Sequence, residues 1–166
     1  IVVSSFNALR REIACKSMEK LINDGRIHPG RIEEIVELTR KEMDDIVHDA
    51  GKQIAYEANV YNLTTLECKL IGKLKFYNFM GKSLLQHTLE VIQIVTYLAG
   101  ELYLDLNIAK RSALLHDIGH VADESYEGNH AQVGAEIAKQ CKESPEVVNA
   151  IEAQHEGVPA TDRKST

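Results

Sequence analysis

Arg111-Ser112-Ala113-Leu114-Leu115-His116-Asp117-Ile118-Gly119-His120 runs from an apolar helix into an adjacent imidazole and carboxylate, then meets a glycine. Ile108, Ala109, Ser112 and Ala113 recur at helical spacing with His116, which predicts a helix over 105–118 with the imidazole on its inward stripe. Gly119 ends that helix where side chains and backbone can splay around an ion.

The neighbouring segments repeat the pattern. A helix predicted over 83–101 carries His87 in line with Leu84, Val91, Val95 and Leu98. One over 129–142 aligns His130 with Val133, Ile137 and Cys141, and one over 145–156 aligns His155 with Val148 and Ile151. A single inward histidine is ordinarily a hydrogen-bonded core residue. Four on four consecutive helices are hard to satisfy by packing, and a shared cation would turn costly buried imidazoles into ligands. Chain geometry agrees. His87 lies 16 residues before the turn at Tyr103 and His116 lies 13 after it. At about 1.5 Å of rise per residue both stand roughly 20–24 Å from that turn, so an antiparallel pair brings them together.

Imidazole and carboxylate donors suit manganese, iron, zinc or magnesium. Such an ion acidifies a bound water and offsets charge on a phosphoryl oxygen, as phosphodiester hydrolysis requires. Asp117 can both ligate and reach the attacking water. Glu90, one turn after His87, reads either as its hydrogen-bond partner or as an exposed helix carboxylate. Lys110 and Arg111 are candidate phosphate contacts, with a solvated face the alternative for at least one. His28, before Pro29 at a helix start, and His48, in a charged helix, read as structural or solvent-facing.

Further toward the N-terminus the reading is again helical: 6–24 closing at Gly25, 29–58 opening on Pro29, and 64–75. Ile1 to Ser5 reads as a short strand or the tail of an upstream element. The class is therefore all-α, with long N-terminal helices over 1–80 packing on a core over 81–166. Between Lys69 and Lys82 lie four lysines (Lys69, Lys73, Lys75, Lys82), no acids, and the rings of Phe76, Tyr77 and Phe79. That mixture can track a phosphate backbone and stack on bases, with Lys73 and Lys75 as substrate contacts. The alternative is a solvated helix end followed by an aromatic-packed turn.

Bulk properties set limits. The 166 residues suffice for one domain with its own core, and 44% apolar with 27% charged residues argues against disorder. A net charge of −6 gives no general support for nucleic-acid binding. Cys15, Cys68 and Cys141 are odd in number and form no CxxC pair, which suits free thiols packed in a reducing compartment. The most apolar stretch, Val91 to Ala99, is too short to span a bilayer. No signal peptide is visible, and without an initiator Met the sequence reads as a piece of something longer.

His87 and Ala113-Leu114-Leu115-His116-Asp117-Ile118-Gly119 resemble the signature of the HD metal-dependent phosphohydrolase superfamily, an all-helical fold. Arg10-Arg11-Glu12-Ile13-Ala14, Asp24-Gly25-Arg26-Ile27-His28-Pro29, Leu85-Gln86-His87, Ala109-Lys110-Arg111 and Glu127-Gly128-Asn129-His130 are similar to the catalytic region of the ribonuclease Y family within it. The resemblance implies a bacterial endoribonuclease acting on mRNA. It implies His87, His116 and Asp117 as metal ligands, with His130 and His155 as further candidates. It also implies a homodimer, an upstream KH domain ending in Ile1–Ser5, and a membrane-anchored parent whose catalytic part is cytoplasmic. Gln154 stands where the family has the first of two paired histidines, and His120 stands where it has lysine. His120 then reads as a proton donor, an extra ligand or neither. The family's last aspartate ligand is expected beyond Thr166, on a helix outside this sequence. Three functions follow as expectations: single-stranded RNA cleavage by Asp117, His116 and His120, hydrolysis of small nucleotides, and a binding or dimerising module without turnover.

Overall fold

The computed structural model describes residues 2–5, 7–79, 81–123, 125–155 and 158–160. The expected helix start at Phe6, the Glu156 end of the last helix and most of the closing loop lie outside these residues. The chain forms α1 (Ala8–Asp24), α2 (Pro29–Glu57), α3 (Thr65–Lys73), β1 (Asn78–Phe79), β2 (Lys82–Ser83), α4 (Leu84–Glu101), α5 (Leu106–Leu115), α6 (His130–Gln140) and α7 (Pro145–Glu152). Single 3-10 turns cover Leu74–Phe76 and Ile118–Val121. The all-α reading holds, with one two-stranded antiparallel hairpin added. Residues 2–5 are in neither helix nor strand.

Local chemistry explains the boundaries. Asn7 caps α1 by accepting from the Arg10 amide, and Gly25 closes it in the left-handed region at φ 72°. His28 is the cap of α2: its Nδ1 accepts from the Arg31 amide at 3.3 Å, while Pro29 takes the first helical position. At 29 residues α2 is roughly 43 Å long. The α1–α2 corner is tied by Asp24, which accepts from Arg31 at 3.0 Å and from Arg26 at 2.8 Å. These two guanidiniums hold its carboxyl far below the usual carboxylate range.

Where α2 crosses α3 the backbones touch. A Cβ on Gly51 would sit 1.7 Å from the Cys68 carbonyl oxygen, and one on Gly72 would sit 1.8 Å from that of Val47. Only glycine at both positions allows this approach. It lets α3 enter the main core, where Ile54, Leu70, Ile71 and Leu74 join Leu114, Leu115, Ile118, Ile137 and Ile151. Packing therefore continues across the boundary drawn near residue 80. Cys68 is buried, Cys15 and Cys141 are partly buried, and all three are free thiols.

A buried acid pair braces α3 against the α6–α7 loop. Glu67 is fully buried, and its Oε2 accepts from the Thr64 amide and hydroxyl at 2.7 Å. Its Oε1 faces no donor, so the contact with Glu143 closes only when Glu67 carries the proton. Burial first, then Glu143, push the Glu67 pKa up. Burial also opposes ionisation of Glu143, but Arg111 outweighs it and keeps that pKa low. A raised folded-state pKa stabilises fully below the unfolded value and is lost as pH climbs through the folded one. Glu67→Gln, which mimics the protonated acid, should therefore melt a few degrees above wild type at pH 8, with the gap closing toward pH 5. Parallel melting curves across that range would remove Glu67 as the titrating group.

Candidate metal centre

Every expected ligand stands at a helix terminus, and the termini meet at one end of the bundle. His87 is in the first turn of α4, His116 and Asp117 follow α5 directly, His130 opens α6, and His155 lies just past α7. The α4–α5 turn comes where expected, with Tyr103 in the left-handed region at φ 55°. The α5 helix itself stops at Leu115, short of the predicted Ile118, because the chain turns at His116–Asp117 into the 3-10 segment. Gly119 makes that turn possible: a Cβ there would sit 1.9 Å from the His130 carbonyl oxygen. The motif glycine thus serves close approach, seating the turn on the start of α6.

The distances are short. His116 Nε2 lies 3.2 Å from Asp117 Oδ2 and 3.4 Å from His87 Nε2, and His87 Nε2 lies 3.6 Å from the same Oδ2. His120 Nε2 stands 3.9 Å from the other oxygen, Oδ1. His120 stacks on His130 with ring centroids 3.9 Å apart, and His130 and His155 approach to 2.7 Å between their Nε2 atoms. Two donor groups result, His87–His116–Asp117 and Asp117–His120–His130, each with its atoms within 4.8 Å of one another. Asp117 is the shared corner.

One ring is oriented by the backbone. His116 Nδ1 donates to the Ala113 carbonyl at 2.8 Å, which turns Nε2 toward the cluster, where it meets Asp117 Oδ2. Burial alone would lower the His116 pKa, but the hydrogen bond and charge of Asp117 outweigh it and raise it. Burial would raise that of Asp117, and the imidazoles of His116, His120 and His87 pull it below its ordinary value, so the carboxylate is ionised at neutral pH. Burial and the neighbouring imidazoles lower His120 and His130, against the pull of Asp117. The donors converge as imidazole nitrogens around one anion, a set that fits a divalent cation.

Several expectations need correction. The histidines do not all face inward: the His87 side chain is 46% exposed and His155 is exposed, so the cluster lines an open mouth. Access is what a substrate site needs and what a packed core forbids. Glu90 does not support His87; it accepts from Gln86 at 3.2 Å. Arg111 is not free for substrate, because it grips Glu143 with two 2.5 Å bonds and donates to the carbonyls of Tyr61 and Asn62. Lys73 is likewise engaged, with Asp123 at 3.0 Å and the Val121 carbonyl. Lys110 is partly exposed on α5 and Lys75 is exposed on the 3-10 turn. Gln154 supplies no ligand and instead donates to the His116 carbonyl at 3.0 Å, pinning the end of α7 to the turn. The stacking of Phe79 on His120, centroids 4.9 Å apart, gave no sequence signal beyond the basic and aromatic mixture around it.

Compared with known proteins, residues 84–165 match the model of the HD domain, which takes in His87, His116, Asp117, His130 and His155. That segment belongs to the HD-domain family. Outside the HD domain the likeness continues. Ribonuclease Y of Acetivibrio thermocellus is 48% identical over 161 residues, 97% of this chain and 31% of that protein. Ribonuclease Y of Enterococcus faecalis is 47% identical over the same shares. That of Clostridium perfringens is 47% identical over 93% of this chain and 30% of its own length. The chain thus spans about a third of the curated relatives it matches. No solved structure matches it. No helix among the described residues is long and apolar enough to cross a membrane.

Proposed function

We propose that this HD domain is the metal-dependent phosphodiester hydrolase of a ribonuclease Y-like endoribonuclease acting on single-stranded RNA. The observation that carries the reading is the meeting of His87 Nε2, His116 Nε2 and Asp117 Oδ2 at 3.2–3.6 Å. These three would hold a divalent ion (manganese, magnesium, zinc or iron), and His130 and His155 are further ligands on the far side of Asp117. When bound, such an ion lowers the pKa of a water and offsets charge on a phosphoryl oxygen.

The chain's own groups do the rest. The N-termini of α4 and α6 both open at the cluster, and their helix dipoles favour an anion there. Asp117 stays ionised and orients the donors around it. His120, with its pKa lowered, is neutral at pH 7 and can hold or pass a proton at Nε2, 3.9 Å from Asp117 Oδ1. Exposed Lys75, Lys82 and the half-exposed Lys110 are the cations left for a phosphate backbone, Lys73 and Arg111 being engaged elsewhere. The same reading gives the domain a homodimeric, membrane-anchored parent with a KH module, working in the cytoplasm.

The test is cleavage of an end-labelled single-stranded RNA by the purified chain in Mn²⁺, with elemental analysis of the same sample. Internal cuts in Mn²⁺ that stop with EDTA are expected. Stoichiometric metal with no phosphodiester hydrolysed, RNA or dinucleotide, would make the domain a binding module instead.

A further inference from the structure

We infer that Phe79 and Lys82, on the β1–β2 hairpin, form a platform for one unpaired nucleobase of a single-stranded nucleic acid beside the metal centre. The inference rests on the phosphodiesterase reading above and adds a subsite to it. Phe79 pairs with Lys82 in the hairpin register, so both side chains rise from the same face. One exposed phenylalanine alone means little, since single apolar residues are common on surfaces. This one is different in its neighbour. Its ring lies 4.9 Å from His120, tilted by 37°, and His120 in turn stacks on His130. Phe79 is thereby held on one side by the donor cluster while 52% of it stays exposed.

Charge on this segment is distributed to match. Of the four lysines between residues 69 and 82, Lys69 is paired with Asp44 and Lys73 with Asp123. Lys75 and Lys82 are exposed and form no ion pair among the described residues. An aromatic face and a cation on the same side of the hairpin fit the base and the phosphate of one nucleotide. Stacking within a duplex buries base faces, so the ligand must be single-stranded. Every base has a π-face, so the platform is tolerant of sequence.

The experiment is fluorescence anisotropy of the intact chain with a labelled single-stranded RNA, and with an oligomer of equal length carrying abasic ribose throughout, both in EDTA. Stacking of one base is worth about 1–3 kcal/mol, so Phe79→Ala should weaken binding of the intact RNA by about fivefold or more. It should change abasic binding less than about twofold, and Phe79→Trp should restore the wild-type value. Because Phe79 is half-exposed on a hairpin, Phe79→Ala should keep the wild-type melting temperature, which is measured alongside. Wild-type affinity for intact RNA in Phe79→Ala, an equal loss on both oligomers, or no RNA binding by wild type would each overturn the platform. Since no metal is present, base-dependent binding without Mn²⁺-dependent cleavage would sink the hydrolase reading alone.

Discussion

Asp117→Asn should lose divalent-metal binding and reduce Mn²⁺-dependent phosphodiester cleavage by roughly 10²–10³-fold or more. The substitution keeps the shape and removes the only charge at the shared corner, whose two oxygens face His87 and His116 on one side and His120 on the other. Imidazoles without an anionic oxygen hold hard ions such as Mn²⁺ and Mg²⁺ poorly, because nothing offsets the ion's charge in a partly buried pocket. His116→Ala should behave alike, since it removes the ring whose Nε2 the backbone holds toward the cluster. His28→Ala is the control: His28 is a helix cap on α2, so it should cost stability of about 1 kcal/mol and leave metal affinity untouched. Calorimetric titration with Mn²⁺ and Zn²⁺ reads the first effect and RNA cleavage the second. Asp117→Asn retaining wild-type values in both would mean the cluster is a hydrogen-bonded corner with no ion chemistry.

Arg111→Ala should destabilise the fold by about 3–5 kcal/mol, the usual cost of orphaning one partner of a buried ion pair. The guanidinium makes four bonds: two to Glu143, whose side chain is only 5% exposed, and one each to the carbonyls of Tyr61 and Asn62. Its loss leaves Glu143 ionised against the buried Glu67, with no cation to hold it. Urea unfolding measures the loss. Glu143→Gln added to Arg111→Ala should recover part of it, because the uncompensated charge is then gone. A substrate-binding arginine would show the reverse, a raised KM with unchanged unfolding, and that result would overturn the structural role of Arg111.

Much of this is legible in the residues. Helix starts announce themselves through caps: Ser83, Asp105, Asn129 and Ser144 each accept from an amide two or three residues on. His87 and His116 are placed by counting residues on either side of one turn, which needs only the rise of a helix. What the sequence hides are contacts between distant segments. Nothing local tells that Arg111 meets Glu143, 32 residues away, or that Lys73 meets Asp123, 50 away. A stripe of apolar neighbours also misleads on the burial of the histidines, because periodicity reports the face of a helix and not how far its end protrudes. His87 and His155 sit on core-facing stripes yet emerge at the rim. The glycines at 51 and 72 carry no signal either, as each is required only by the backbone of the other helix.

Both halves of the cluster hold a hydrogen where a metal ligand would need an electron pair. On the His116 side the Ala113 carbonyl holds the Nδ1 hydrogen, and a second hydrogen at Nε2 is shared with Asp117 Oδ2 at 3.2 Å. On the other side, His130 and His155 meet nitrogen to nitrogen at 2.7 Å, a separation that needs a hydrogen between them. One of those rings therefore points an N–H where a ligand would need an electron pair, and must move that hydrogen to its far nitrogen or give it up before both can bind. Uptake of a cation by either end would then release or relocate a proton, and titration with Mn²⁺ in weak buffer should acidify the solution.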